Sequence, residues 1–170
     1  MIQIVGLSPA VDVTYFVDRV EWGSQHRVQR VERRAGGKAG NVARVLHTLG
    51  APLRLICPLG GPSGQWYASE MSALGIALQA IEADSETRRC HTIVEPKRVS
   101  EFNEPAPVVG QEQLEALAEA IQPAEISILS GSVPSAMSDE DLLSLLHQLR
   151  DNSGILIVDT SGDALSLAVG

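Results

Sequence analysis

Ala35-Gly36-Gly37-Lys38-Ala39-Gly40-Asn41-Val42-Ala43-Arg44-Val45-Leu46-His47-Thr48-Leu49-Gly50 runs from a glycine-rich turn into a helical pattern and stops at a glycine. Val42, Val45, Leu46 and Leu49 recur at helical spacing, which predicts a helix over 41–49 ended by Gly50. Glycines ahead of a helix let backbone approach a ligand closely. The helix start adds unpaired N–H groups and the positive end of the dipole, and Lys38 adds a full charge. Together they make a seat for a phosphate or for sugar oxygens. Taken alone, the loop also reads as a tight glycine turn before a helix. It is not a Walker A loop, since Gly40-Asn41-Val42 stands where Gly-Lys-Ser/Thr is required, and the fingerprint Gly-x-Gly-x-x-Gly is absent.

Outward from this loop, short apolar runs alternate with helical patterns. Strands are predicted at Ile2–Leu7, Leu53–Leu59, Ile76–Ile81, Ile126–Ser130 and Ile155–Val158. Helices are predicted at Gln65–Leu74, Gln111–Ile121 and Asp139–Leu149, with Ser138 as N-cap of the third, and a last one starts at Ser161. Continuous apolar strands separated by helices imply a parallel sheet covered on both faces. Two stretches do not fit it. Residues 11–34 and 88–103 alternate apolar and polar, the second as a hairpin around Pro96-Lys97, and predict a small second sheet that projects as a lid.

Composition narrows the function. Lys and Arg number 13 against 21 Asp and Glu, a formal charge of −8, which argues against nucleic acid as the main partner. Hydrophobic residues at 44% and charged residues at 20% suffice for a packed core. Cys57 and Cys90 offer no disulfide framework, and both read as buried thiols. The start, Met1-Ile2-Gln3-Ile4-Val5, lacks a signal-peptide pattern, and no apolar run is long enough to span a bilayer. The expected setting is the cytoplasm, with no membrane partner. His26, His47, His91 and His147 show no metal-ligand spacing, and no metal site is expected within the chain. Arg27, Arg30, Arg33 and Arg34 lie in alternating strands and spread over both faces, as a lid face or subunit contact would.

The spacing of Gly36-Gly37, Asn41, Ala43, Gly50 and Gly60 resembles the first signature of the PfkB/ribokinase-type carbohydrate kinases. Further motifs follow in order. Ser8-Pro9-Ala10-Val11-Asp12 resembles the family's opening Asn-Pro-Ala-Ile-Asp, and Thr87-Arg88 precedes a strand as in the family. Glu101-Phe102-Asn103-Glu104-Pro105, Ser130-Gly131-Ser132-Val133-Pro134 and Asp159-Thr160-Ser161-Gly162 resemble the 1-phosphofructokinase and tagatose-6-phosphate kinase branch. Three departures touch substrate detail: Ala39-Gly40 stands where Gly-Ile is usual, Ser135 replaces a second proline, and the Pro96-Lys97 hairpin is short.

The resemblance implies a ribokinase-like three-layer α/β/α sandwich, truncated, with a small β-sheet lid. It divides the chain into a core of 1–10, 36–86 and 105–170 and a lid of 11–35 and 87–104. It implies a kinase that moves the γ-phosphoryl group of ATP, with Mg²⁺, to a hydroxyl of a ketohexose phosphate. Fructose 1-phosphate comes first, then tagatose 6-phosphate and fructose 6-phosphate. A non-catalytic sugar-phosphate-binding fragment and a ribose or nucleoside kinase are the alternatives, and a nucleotide-cofactor module is a remote third.

Asp12 is expected to accept hydrogen bonds from sugar hydroxyls, though by local sequence it also suits a turn. Asn41 would contact the sugar, cap the helix, or do both. Lys38 and Arg88 are the candidates for holding the substrate's phosphate, beside Gly36 and Gly37. Ser130, Ser132 and Asp159 lie at or just past strand ends, where open α/β sheets bind ligands. The family's second signature, Gly-Ala-Gly-Asp, carries its catalytic base and is absent, so no catalytic residue is expected within this chain and little transfer from it alone. A homodimer through the lid is expected, because the lid's exposed alternating face would need cover.

Overall fold

The computed structural model describes residues 1–169. Nine strands form two sheets. The first holds β1 (Ile2–Val5), β4 (Leu53–Leu59), β5 (Ala77–Glu82), β8 (Ala124–Ser130) and β9 (Ser153–Asp159), in the order β5-β4-β1-β8-β9. All its neighbours pair in parallel. The second holds β2 (Ala10–Phe16), β3 (Arg30–Gly36), β6 (Arg89–Glu95) and β7 (Arg98–Asn103), in the order β3-β2-β6-β7. β2 runs antiparallel to β3 and parallel to β6, and β6 and β7 form the hairpin.

The first sheet is covered on both faces because its strands are apolar on both. In β1, Ile4 enters one core cluster and Val5 the other. Ile4 packs with Ala39 and Ala43 of α1 (Gly37–Thr48) and with Tyr67 and Met71 of α2 (Gly61–Ala73). Val5 packs with Leu117 of α3 (Gln111–Ala120) and Leu145 and Leu149 of α4 (Asp139–Asp151), against which α5 (Asp163–Val169) sets Ala164 and Leu167. Three layers result, as the apolar runs require. Ser138 caps α4 by accepting from the Asp141 N–H at 3.1 Å.

Several boundaries differ from the sequence reading. α1 starts at Gly37 rather than 41, and α2 at Gly61 rather than 65. Both first turns are made of poor helix formers and carry no apolar stripe, so periodicity starts a turn late. Pro62 sits in the first turn of α2, where its missing N–H costs nothing. β3 begins at Arg30, so Val28 lies outside it, and α5 begins at Asp163, after Gly162.

The two sheets meet at one corner. β2 follows β1 after four residues, and its first pair across the ladder, Ala10 with Gly36, borders the start of α1. Tyr67 of α2, fully buried, donates its hydroxyl to the Gly36 carbonyl at 3.2 Å. Burial pushes that hydroxyl's pKa up, which keeps it a donor. Tyr67→Phe leaves a buried carbonyl without this donor, so it should cost about 1–3 kcal/mol. A urea titration reads it as a lower midpoint with an unchanged slope.

Candidate sugar-phosphate site

Alternation along β2 gives the second sheet two unlike faces. Asp12 and Thr14 point one way with Arg34 and Glu32 of β3 and Thr92 of β6. With Asn41, Arg44 and Val45 of α1 they line a cavity of about 470 Å³. Val11, Val13 and Tyr15 point the other way, toward α2. There they line a cavity of about 290 Å³ with Arg33, Ser63, Trp66 and His91, which holds none of the expected site residues.

Asp12 sits at the corner between the sheets. Gly36 is there because nothing larger fits: a Cβ on it would lie 1.9 Å from Asp12 Oδ2. Gly37 has φ +73°, which opens the helix from a conformation that other residues avoid. Its N–H hydrogen-bonds to the Asp12 carboxylate. No side chain caps α1 and no acidic residue lies in its first turn, so Asp12, from another element, faces its positive end. Burial is the largest influence on Asp12 and raises its pKa above the ordinary 3.8, while Arg44, Arg88 and the Gly37 N–H pull it back in part. Arg88 donates from Nη1 to the Glu104 carbonyl at 3.1 Å. Two buried polar atoms in these segments, Arg88 Nε and Ser8 Oγ, have no protein partner.

A second cluster lies beyond the strand ends of the first sheet. Ser130 Oγ donates to Asp159 Oδ2 at 2.9 Å, and Lys38 Nζ lies 3.7 Å from Asp159 Oδ1. Lys38 and Asp159 are each about half exposed, at 56% and 54%, so the contact is a loose one that solvent screens. Lys38 follows Gly37 directly, which joins this cluster to Asp12 through the first turn of α1. Ser132 stands apart, exposed in the loop after β8. Among the described residues no group of three or more His, Cys, Asp or Glu side chains could hold a metal ion.

Thr14, Glu32, Arg44 and Thr92 line the cavity but were not expected from the sequence. Arg34 was expected only within an arginine cluster. Two signals could have found them. Thr14 lies two residues after Asp12 on one strand face, and Arg44 lies one helical turn after Asn41.

The model of the pfkB family of carbohydrate kinases matches residues 2–168. A tagatose-6-phosphate kinase of Staphylococcus epidermidis is 27% identical over 97% of this chain and 54% of the relative. Phosphofructokinase-2 of Escherichia coli in complex with fructose-6-phosphate superposes with TM-score 0.92 at 26% identity, over 99% of this chain and 57% of that one. A possible 1-phosphofructokinase of Thermotoga maritima superposes with TM-score 0.88 at 22% identity, over 99% and 56%, which shows the shared fold. The chain thus spans about half the length of the curated relatives it matches.

Asp12→Asn separates stability from ligand binding. The raised pKa means that the folded state holds this proton more tightly than the unfolded chain does. Asp12 therefore subtracts stability as pH climbs from 3.8 through its raised value, and the loss is complete above it. The neutral amide of the variant escapes that loss and still offers an oxygen to Gly37. The variant should melt higher than the parent near neutral pH, with the gap closing below pH 3.8, in thermal scans across pH.

Proposed function

Because the chain belongs to the pfkB family of carbohydrate kinases, we propose that it is the sugar-binding half of an ATP-dependent kinase acting on a ketohexose phosphate. The observation that carries this reading is the single cavity holding Asp12 and Asn41 beside the glycine-led start of α1. Asp12 offers acceptors and Asn41 offers amide donors, a complementary pair for a hydroxyl-bearing ligand. Lys38 and Arg88 supply positive charge for the phosphate, with Gly36 and Gly37 giving close access to backbone. Ser130 and Asp159 form the wall next to Lys38, and Ser132 extends it.

The family implies ATP and a divalent metal. The described residues form no cluster that could hold a metal, so no step is assigned to a metal on this chain. What these residues do is bind and orient the acceptor sugar, which is most of what phosphoryl transfer asks of a protein. One relative is a tagatose-6-phosphate kinase, and one structural neighbour is a phosphofructokinase in complex with fructose-6-phosphate. Tagatose 6-phosphate, fructose 6-phosphate and fructose 1-phosphate are the ligands of this reading.

We place the protein in the cytoplasm, in keeping with two free thiols and no helix among the described residues that is long and apolar enough to cross a membrane. The second sheet is read as a lid and as a homodimer contact, supported by exposed Trp22, Val31, Val99 and Phe102 on it and its loop.

The test is calorimetric titration with the three sugar phosphates. At least one should bind, and unphosphorylated fructose should bind far more weakly. Arg88→Ala and Lys38→Ala should each weaken sugar-phosphate binding about tenfold or more, as loss of a charged hydrogen bond does, with circular dichroism unchanged. Equal binding of fructose and its phosphates would overturn the phosphate-holding role of both residues.

A further inference from the structure

Arg44 and Glu70 are the least exposed arginine–carboxylate pair among the described residues' ion pairs, with side chains 21% and 23% exposed. The pair sits at the junction of three elements. Glu70 belongs to α2, and its Oε2 accepts from the Ala35 N–H of β3 at 2.6 Å. Its Oε1 lies 3.3 Å from Arg44 Nη1 on α1. Arg44 Nη2 then donates to Asn41 Oδ1 at 3.1 Å. One unbroken run of hydrogen bonds links the second sheet, α2 and the amide that lines the cavity beside Asp12.

We propose that Arg44 and Glu70 are positioning residues for the sugar-phosphate site, holding the Asn41 amide with its oxygen tied back and its Nδ2 donors free for the ligand. The proposal rests on the reading that Asp12 and Asn41 bind a sugar phosphate. The chemistry of each group supports it. An unrestrained asparagine can present either end of its amide, so it recognises donors and acceptors alike. Tied through Oδ1, Asn41 offers donors, while the Asp12 carboxylate offers acceptors. The site then distinguishes the two lone-pair and hydrogen patterns of neighbouring sugar oxygens.

Arg44 does this with two different Nη atoms, one toward Glu70 and one toward Asn41. A lysine carries the charge but lacks that planar fork. Glu70 holds Arg44 from a helix that the ligand does not touch in this reading. The charge of Arg44 also favours the ionised form of Asp12 against burial. One arginine therefore acts on both arms of the recognition pair.

The experiment compares the parent chain with Arg44→Gln, Arg44→Lys, Glu70→Gln and the Arg44→Gln/Glu70→Gln double variant. Fructose 6-phosphate is titrated into each by calorimetry, and the Asn41 side-chain amide resonance is followed by NMR without ligand. Glu70→Gln keeps an oxygen for the Ala35 N–H, so it serves if Arg44→Gln fails to fold. Each single change should weaken binding about tenfold, and lysine should not restore it. The double variant should bind about as weakly as the worse single, since both act along one line. The Asn41 resonance should move in Glu70→Gln although Glu70 does not touch Asn41. Binding equal to the parent in the single variants, or a double loss equal to the product of the two, would overturn the proposal. If the parent itself does not bind the probe, the sugar-phosphate reading fails. The Asn41 resonance then decides the inference alone, because a resonance unmoved by Glu70→Gln leaves no relay.

Discussion

Everything in this molecule that bears on a ligand depends on the contact between the Asp12 carboxylate and the glycines that open α1. Gly36 ends β3 and Gly37 begins the helix, so the last rung of the second sheet and the first turn of α1 share one peptide. A carboxylate can press against that peptide because neither residue has a side chain in the way. The helix contributes unsatisfied N–H groups, and the strand contributes the charge that answers them. Burial makes the arrangement costly for Asp12, which is the usual condition of a group kept for binding rather than for stability.

The corner is braced from behind. Tyr67 and Glu70 lie one turn apart on α2, and one bonds the Gly36 carbonyl while the other bonds the Ala35 N–H. Consecutive backbone groups at the end of β3 are thus fixed by one helix that itself packs on the first sheet through Met71 and Tyr67. The site does not rest on the second sheet alone, although half of its cavity wall is made of that sheet. Its rigid side is the α1–α2 layer, and the strands β2, β3 and β6 are carried on it.

The legible part of the fold was the part with a simple period. β1, β4 and β8 read as strands because both of their faces are apolar, and the alternation in β2 and β6 separated the second sheet from the first. Helix starts at Gly37 and Gly61 were missed because glycine and proline carry no apolar signal. In the site, Asp12, Gly36, Gly37 and Asn41 were legible from motif spacing, and they meet at one place. Asp159 and Ser130 were legible as strand ends, and they bond each other. Arg44 with Glu70 was not legible, because a side-chain pair 26 residues apart on two helices leaves no local pattern. Ser132 resembled a motif position, yet the motif does not say which of its hydroxyls turns toward a neighbour.

β2 serves two unlike surroundings at once, with Asp12 and Thr14 toward one cavity and Val11, Val13 and Tyr15 toward α2. A strand with that division of labour is sensitive to counting rather than to chemistry. Exchange of one aliphatic residue for another on the α2 side changes packing by small amounts. Insertion or deletion of a single residue between Pro9 and Phe16 would instead invert the whole strand, sending valines to the ligand and a carboxylate into the helix layer. Lineages of this chain are therefore free to vary in the loop 17–29 and at the β6–β7 turn, but the distance from Val5 to Asp12 is constrained in its parity. The reading frame of the pleat, more than any one side chain in it, is what descent would have to preserve.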